Sequence, residues 1–116
     1  MTVTELARLV DGALVGPAGP GAREVLGGYA SDLLSDVMAH AQDGDAWITM
    51  QRHVNTVAVA QLKNLAGIVI VNDRQPEPDM VARAADHGVA LVTTPLAAFE
   101  AAGRLYAAGL RGRRAS

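Results

Sequence analysis

The chain predicts a single-domain, layered α/β fold with a mixed, largely parallel sheet. Three observations predict it. The runs Ala46-Trp-Ile-Thr-Met50, Gly67-Ile-Val-Ile-Val71 and Ala90-Leu-Val-Thr93 are short, apolar and bounded by polar or loop-forming residues. A helical pattern follows each run, and repeated strand–helix connections of this kind favour parallel strands with right-handed crossovers. The residues before 46 instead hold shorter apolar runs and a glycine- and proline-rich loop, which predict a mixed or irregular sheet edge. The length of 116 residues suits one domain over residues 1–110 and a basic tail, 111–116, expected to be disordered.

In order along the chain, Val3, Leu6, Leu9 and Val10 fall on one face of a helix over 3–10, with Thr2 or Thr4 as its N-cap. Ala13-Leu-Val15 is a short strand, and Gly16-Pro-Ala-Gly-Pro-Gly21 is a loop. Arg23 to Gly28 holds an edge strand. Ser31-Asp32 opens a helix with Leu33, Leu34, Val37, Met38 and Ala41 as its apolar positions. Gln42-Asp-Gly-Asp45 turns the chain into the strand 46–50. The helix after Gln51-Arg52-His53 carries Val54, Val57, Ala58, Ala60, Leu62 and Leu65; its apolar Val57-Ala-Val-Ala60 segment belongs flat on the sheet or in a subunit contact. Gly67 to Val71 is β-branched from Ile68 onward, as a strand covered on both faces would be. Pro76 and Pro78 keep residues 72–78 out of a ladder. Asp79 caps the next helix and Gly88 stops it. After the strand at 90–93, Thr94-Pro95 has the form of a helix start, and Gly109 ends that last helix.

Composition removes several function classes. There is no cysteine, so disulfides, thiolate zinc sites and thiol nucleophiles are excluded. No run approaches the roughly 18 apolar residues of a membrane span. The N-terminus lacks the basic and long apolar regions of a signal peptide, so a cytoplasmic location and no membrane partner are expected. Only Tyr29, Trp47, Phe99 and Tyr106 are aromatic, too few for a base-stacking platform, so nucleic acid is not an expected partner. The net charge of −2 combines an acidic body with three arginines in the last six residues.

Several motifs invite a chemical reading and fail on detail. Gly16 to Gly21 has the spacing of half a P-loop, but Ala22-Arg23 stand where Lys and Ser or Thr must follow, and Pro17 and Pro20 have no amide to offer phosphate. His40, His53 and His87 lack metal-pair spacing; His40 and His87 suit helix C-terminal turns. Asp43-Gly-Asp45 lacks the further oxygen ligands of a calcium loop. Ser31, Asp32 and His40 include triad residue types without a nucleophile elbow. No cofactor or metal is expected. What remains is the rim at the carboxyl ends of the strands, where ligands settle in open α/β sheets. Its residues are Gln51, Arg52, His53 and Asn55, then Asn72 and Asp73, then Thr93 and Thr94. Most are hydrogen-bonding groups without strong nucleophilic character, which suits binding better than catalysis; polar loop ends that merely cap helices would look the same.

Gly28-Tyr-Ala-Ser-Asp-Leu-Leu-Ser-Asp-Val-Met-Ala-His40, Gly44-Asp-Ala-Trp-Ile-Thr49, Gln51-Arg-His-Val-Asn55 with Val57-Ala-Val-Ala60, and Thr94-Pro-Leu-Ala-Ala-Phe-Glu-Ala-Ala-Gly-Arg-Leu-Tyr106 together resemble stand-alone members of the DRTGG domain family, over residues 2–110. The resemblance implies an α/β fold like the N-terminal domain of HPr kinase, self-association as a homodimer, and a regulatory or structural role without chemistry of its own. The Asp-Arg-Thr-Gly-Gly stretch itself is absent. Gln51 to Asn55 occupies the corresponding strand–helix loop, and Asp73-Arg74-Gln75 is a chance echo. The expected function is a non-catalytic regulatory domain sensing a nucleotide or other small anionic metabolite through Gln51, Arg52, His53, Asn55, Asn72, Thr93 and Thr94. The alternative is a pure protein–protein adaptor for a redox or phosphotransfer enzyme.

Overall fold

The computed structural model describes residues 1–113. Its elements are α1 (Val3–Leu9), β1 (Ala13–Val15), a 3₁₀ turn (Gly19–Ala22), β2 (Gly27–Ala30), α2 (Leu34–His40), β3 (Asp45–Thr49), α3 (Val54–Leu62), β4 (Gly67–Ile70), α4 (Pro78–His87), β5 (Ala90–Thr93) and α5 (Ala98–Ala107). The strands form one sheet in the order β1-β5-β4-β3-β2, parallel except for β1, which runs antiparallel along β5. This is the mixed, largely parallel α/β architecture that the sequence predicts.

Alternation along the strands divides the core into two layers. Trp47, Ile68, Ile70 and Leu91 face Val37 of α2, Val57 and Ala60 of α3, and Met80 and Ala84 of α4. Ala46, Ile48, Val69, Ala90 and Val92 face Val3, Leu6 and Ala7 of α1 and Ala101 and Leu105 of α5. One row on that second face is made of small residues, since Gly28, Ala46, Gly67 and Ala90 lie side by side in register. Gly67 has Ala90 so close that an added Cβ would sit 3.2 Å from the Ala90 Cβ. The small row lets α1 approach the backbone closely, and it leaves a low floor where β2 extends beyond the helices.

Local chemistry fixes the element ends. The Thr2 side chain takes the Glu5 amide while the Glu5 carboxylate takes the Thr2 amide, a reciprocal cap for α1. Gly88, at φ 67°, closes α4 in the left-handed region that glycine enters without a steric penalty. Three expectations shift. The edge strand lies at 27–30 rather than 23–28, set by pairing of Tyr29 with Trp47. Helix α4 begins at Pro78 after Glu77, and Asp79 sits inside its first turn. Helix α5 begins at Ala98, not at Pro95, because the chain must first pass from β5 onto the opposite face of the sheet from α4.

The basic tail also departs from expectation over its first half. The Arg111 carbonyl accepts the Gly28 amide at 3.1 Å, and the Arg111 guanidinium lies 3.7 Å over the Tyr106 ring. Arg113 donates to Asp45, whose carboxylate is fully buried at the start of β3, at 2.6 and 3.2 Å. Residues 114–116, the rest of the expected disordered tail, lie outside the described residues.

Candidate functional site

The rim is built from the loops that leave β2, β3, β4 and β5. Asp32, after β2, reaches across to β3: its carboxylate accepts the Thr49 hydroxyl at 2.9 Å and the Met50 amide at 2.8 Å. Gln51 returns the contact by donating its side-chain amide to the Asp32 carbonyl at 2.8 Å. Asp32 therefore joins two strand ends instead of opening α2. The expected side-chain cap is not formed: α2 follows Leu33 without one, and the Ser31 hydroxyl accepts the Leu33 amide just before the helix.

The β3–α3 and β4–α4 loops are zipped together. Arg52 donates its Nε–H to the Gln75 carbonyl at 2.6 Å, and Arg74 donates its Nε–H to the Met50 carbonyl at 3.0 Å. The Glu77 amide donates to the Arg52 carbonyl at 3.0 Å, and the Glu77 carboxylate meets His53 Nδ1 at 2.5 Å. Each arginine thus spends one donor on the facing loop. Among the described residues no hydrogen bond or ion pair engages the Nη groups of Arg52 or Arg74, so two guanidinium forks are positioned with their paired donors open. Asp73 and Glu77 lie beside them, and His53 answers Glu77.

Asn72 and Asp73 form a tight turn. Both adopt positive φ, 63° and 57°, and the Arg74 amide donates back to the Val71 carbonyl. Consecutive left-handed residues define a type I′ turn, where Asn and Asp are favoured. The turn leans on the next loop: the Asn72 amide donates to Leu96 and the Asp73 amide to Thr94, both at carbonyls, at 2.8 and 2.9 Å. In open α/β sheets a crevice forms where successive crossovers leave on opposite faces. Here that point lies between β4 and β5, and these two bonds occupy it.

The expected site residues consequently divide. Gln51, Arg52, His53 and Asn55 share one loop and helix start; Arg52 and His53 meet Gln75 and Glu77, while Gln51 turns to Asp32. Asn55 is exposed in the first turn of α3 and Asn72 is exposed in its turn. Thr94 is fully buried; its hydroxyl donates to the Val10 carbonyl at 2.6 Å and accepts the Leu96 amide. That hydroxyl anchors α1 to the sheet and presents nothing outward. Thr93 is largely buried at the β1–β5 pairing, away from the other loops. Arg74, set aside in the sequence as an echo, is the residue that reasoning along the chain missed. The only signal for it is that β3 and β4 are neighbours, which makes their following loops neighbours too.

Among the described residues no group of three or more His, Asp or Glu side chains is arranged to hold a metal ion. No described helix is long and apolar enough to cross a membrane. A separate cleft of about 110 Å³ lies on the α1 and α5 face of the sheet, between β2, α5 and residues 110–112, lined among others by Ala30, Ala102, Tyr106 and Leu110.

No family model matches the chain, and no curated protein matches it. Among solved structures it is similar to the CBS and DRTGG domains of the regulatory region of Clostridium perfringens pyrophosphatase, a structure complexed with the activator diadenosine tetraphosphate. The TM-score is 0.71 at 13% sequence identity. The match covers 90% of this chain and 45% of that one, so the chain spans less than half of the regulatory region it resembles. The chain therefore has a fold found in that CBS and DRTGG region, in agreement with the resemblance to DRTGG domains drawn from its sequence.

Proposed function

We propose that this protein is a non-catalytic regulatory domain that senses a nucleotide or another small anionic metabolite at the rim, acting as a homodimer. One observation carries the ligand class: Arg52 and Arg74 are each anchored through Nε to the facing loop, which leaves their Nη pairs in the arrangement that grips phosphate or carboxylate bidentately. Gln51, Asn55 and Asn72 supply amide donors around them, and His53 stands beside them on Glu77. Thr93 and Thr94 take a supporting place, holding α1 and β1 under the rim. The fold shared with a regulatory region whose activator is a dinucleotide polyphosphate supports the same reading.

Calorimetric titration and thermal-shift measurements with diadenosine tetraphosphate, ATP, AMP and inorganic phosphate test it. A ligand at about 100 times its Kd stabilises the folded state by roughly 2.7 kcal/mol. The expected result is a raised Tm for at least one phosphate compound, lost in Arg52→Ala and Arg74→Ala. A flat Tm across the panel would remove the sensing role.

A second reading, a protein–protein adaptor, is favoured by one observation. Leu33 and Met50, which flank the Asp32 contacts, are large apolar side chains left exposed beside the rim. An adaptor would bind no small molecule, and Leu33→Asp with Met50→Gln would abolish complex formation with its enzyme.

A further inference from the structure

Strand β2 is an edge of the sheet, and its outer side is covered by residues 110–113. Leu110 lies against Gly28, the Arg111 carbonyl accepts the Gly28 amide at 3.1 Å, and Arg113 reaches past Gly27 to Asp45. The segment thus runs antiparallel to β2, in the manner of an added strand. Two glycines make room for it. A Cβ on Gly27 would fall 2.5 Å from Arg113 Nε and 3.0 Å from the Arg111 carbonyl oxygen. One on Gly28 would press on Leu110 at 3.3 Å.

The end of this groove is a charged pocket. Asp45 is fully buried; its Oδ1 accepts Arg113 Nη2 at 2.6 Å and Nε at 3.2 Å, and its Oδ2 accepts the Gln42 amide at 2.8 Å. Arg113 Nη2 also donates to the Asp43 carbonyl at 2.6 Å. Among the described residues no other cation pairs with Asp45. A carboxylate taken out of water needs a cationic partner, and a planar fork of donors suits it better than a compact ammonium. The Arg111 side chain, by contrast, bonds the Tyr106 and Leu110 carbonyls and stacks on the Tyr106 ring, so it stays with α5. Among the described residues the segment is therefore held to the sheet by one main-chain bond, one leucine and one guanidinium. It leaves α5 through Gly109, whose φ of 108° makes a joint there.

We propose that Gly27, Gly28 and Asp45 form a groove for an extended, arginine-bearing segment of a partner protein, and that residues 110–113 fill it in cis as an autoinhibitory strap. The strap itself specifies the ligand: an apolar side chain over Gly28, a carbonyl for the Gly28 amide, and an arginine three residues after the apolar one. An incoming arginine replaces Arg113 on Asp45 one for one, so the buried charge passes from one guanidinium to another. The cleft of about 110 Å³ continues the groove, since Leu110, Arg111 and Gly112 line one side of it and Ala30, Ala102 and Tyr106 line others. Displacing the strap enlarges this apolar space, where the partner's preceding residue can settle. The groove lies at the amino ends of β2 and β3, opposite the rim, so it stands whether or not the rim binds an anion.

Amide exchange and peptide titration, both followed by NMR of the full chain, test this with acetyl-Leu-Arg-Gly-Arg-amide as the probe. In the wild type the Gly28 amide should exchange at least about ten-fold faster than the amides of β4, because the strap opens without the sheet. The peptide should bind folded Arg113→Ala at least about ten-fold more tightly than wild type, as a strap that shuts the groove in about nine molecules of ten requires. The same peptide ending in alanine should not bind, and neither should the original peptide bind Arg113→Ala combined with Asp45→Asn. L-arginine amide should bind Arg113→Ala at least about ten-fold more weakly than the peptide, because main-chain pairing with β2 is lost. Gly28 exchange no faster than that of β4 overturns the strap and needs no variant to fold. A peptide that fails to bind folded Arg113→Ala, or binds the double variant equally well, overturns the groove. L-arginine amide binding as tightly as the peptide overturns it too, leaving a pocket for the amino acid alone.

Discussion

Thr56 offers the sharpest test of how the rim is supported. It occupies the third position of α3, is fully buried, and its hydroxyl is the one buried side-chain polar atom without a hydrogen-bond partner among the described residues. A helical threonine can turn its hydroxyl back on the carbonyl four residues earlier. Here that carbonyl, Arg52, already accepts the Glu77 amide across the loop zipper. An unpaired buried hydroxyl costs roughly 1–3 kcal/mol against its hydrated state in the unfolded chain. Thr56→Val keeps the β-branched shape, removes that cost and leaves helix propensity nearly unchanged. The expected gain is about 1–2 kcal/mol, which for a chain of this length raises Tm by about 4–10 °C. The urea midpoint should rise by about 0.5–1 M at an unchanged slope. Thr56→Ser keeps the hydroxyl and loses the methyl, so it should lower the unfolding free energy by about 1 kcal/mol. A valine variant less stable than wild type, with serine near neutral, would refute the reasoning and place a bonded hydroxyl at this position.

Gly12→Ala should destabilise by about 2–3 kcal/mol, because the new Cβ would lie 2.6 Å from the Thr93 carbonyl oxygen; thermal denaturation measures it, and a neutral variant would show that β1 can shift freely. Arg113→Ala removes the guanidinium from the fully buried Asp45, which among the described residues keeps the Gln42 amide at 2.8 Å as its remaining side-chain partner. Because Arg113 is about one third exposed, water can follow, and the expected loss is about 1–2 kcal/mol instead of the 3–5 of an enclosed pair; Asp45→Asn in that background should recover part of it. The Tyr29 hydroxyl donates to Asp36 at 2.8 Å. The Ser31 hydroxyl first, and then that of Tyr29, holds the Asp36 carboxyl below its ordinary value, so its stabilisation is present above the unfolded value and lost as pH falls through the lowered one. Burial, and then Asp36, raises the Tyr29 phenol, so its contribution is complete below the unfolded value and lost as pH rises through the raised one. Tyr29→Phe should abolish the alkaline fall and blunt the acid one in denaturant midpoints followed from acid to alkaline pH; an unchanged profile would discount the pair.

What was legible in the sequence was whatever depends on neighbours along the chain. Ile68 to Val71 read as a covered strand because β-branched runs have few other uses, Ala90 to Thr93 read as the strand after the next helix, and Thr2 was one of two caps offered for α1. Glycine-rich β2 was misplaced because Gly27 and Gly28 have little strand character of their own; their position follows from β3. Thr94-Pro95 looks like a helix start, yet its hydroxyl is claimed by Val10, far away in sequence. The rim divides in the same way. Gln51 to Asn55 stood out as a polar segment between strand and helix, while Arg74 acquires meaning only from the loop it faces. Asp32 resembled a helix cap because an aspartate before a helix usually is one; nothing local points to Thr49 and Met50.

The pairing of β1 with β5 bears on how the molecule assembles. The other four strands can be laid down one after another, each returning beside its predecessor through a single helix. The first strand in sequence must wait for the last, and the Thr94 hydroxyl that ties them bonds a carbonyl 84 residues away. Contacts so distant in sequence slow folding, because the chain must be closed before they reward it. Folding of this domain is thus expected to divide into an early β2-to-β5 platform, which Trp47 at its centre would report by fluorescence, and a later step in which α1 and β1 swing onto the finished edge. A species halted between the two would present β5 as an open strand, the form in which such a protein is most exposed to misassembly with its own copies.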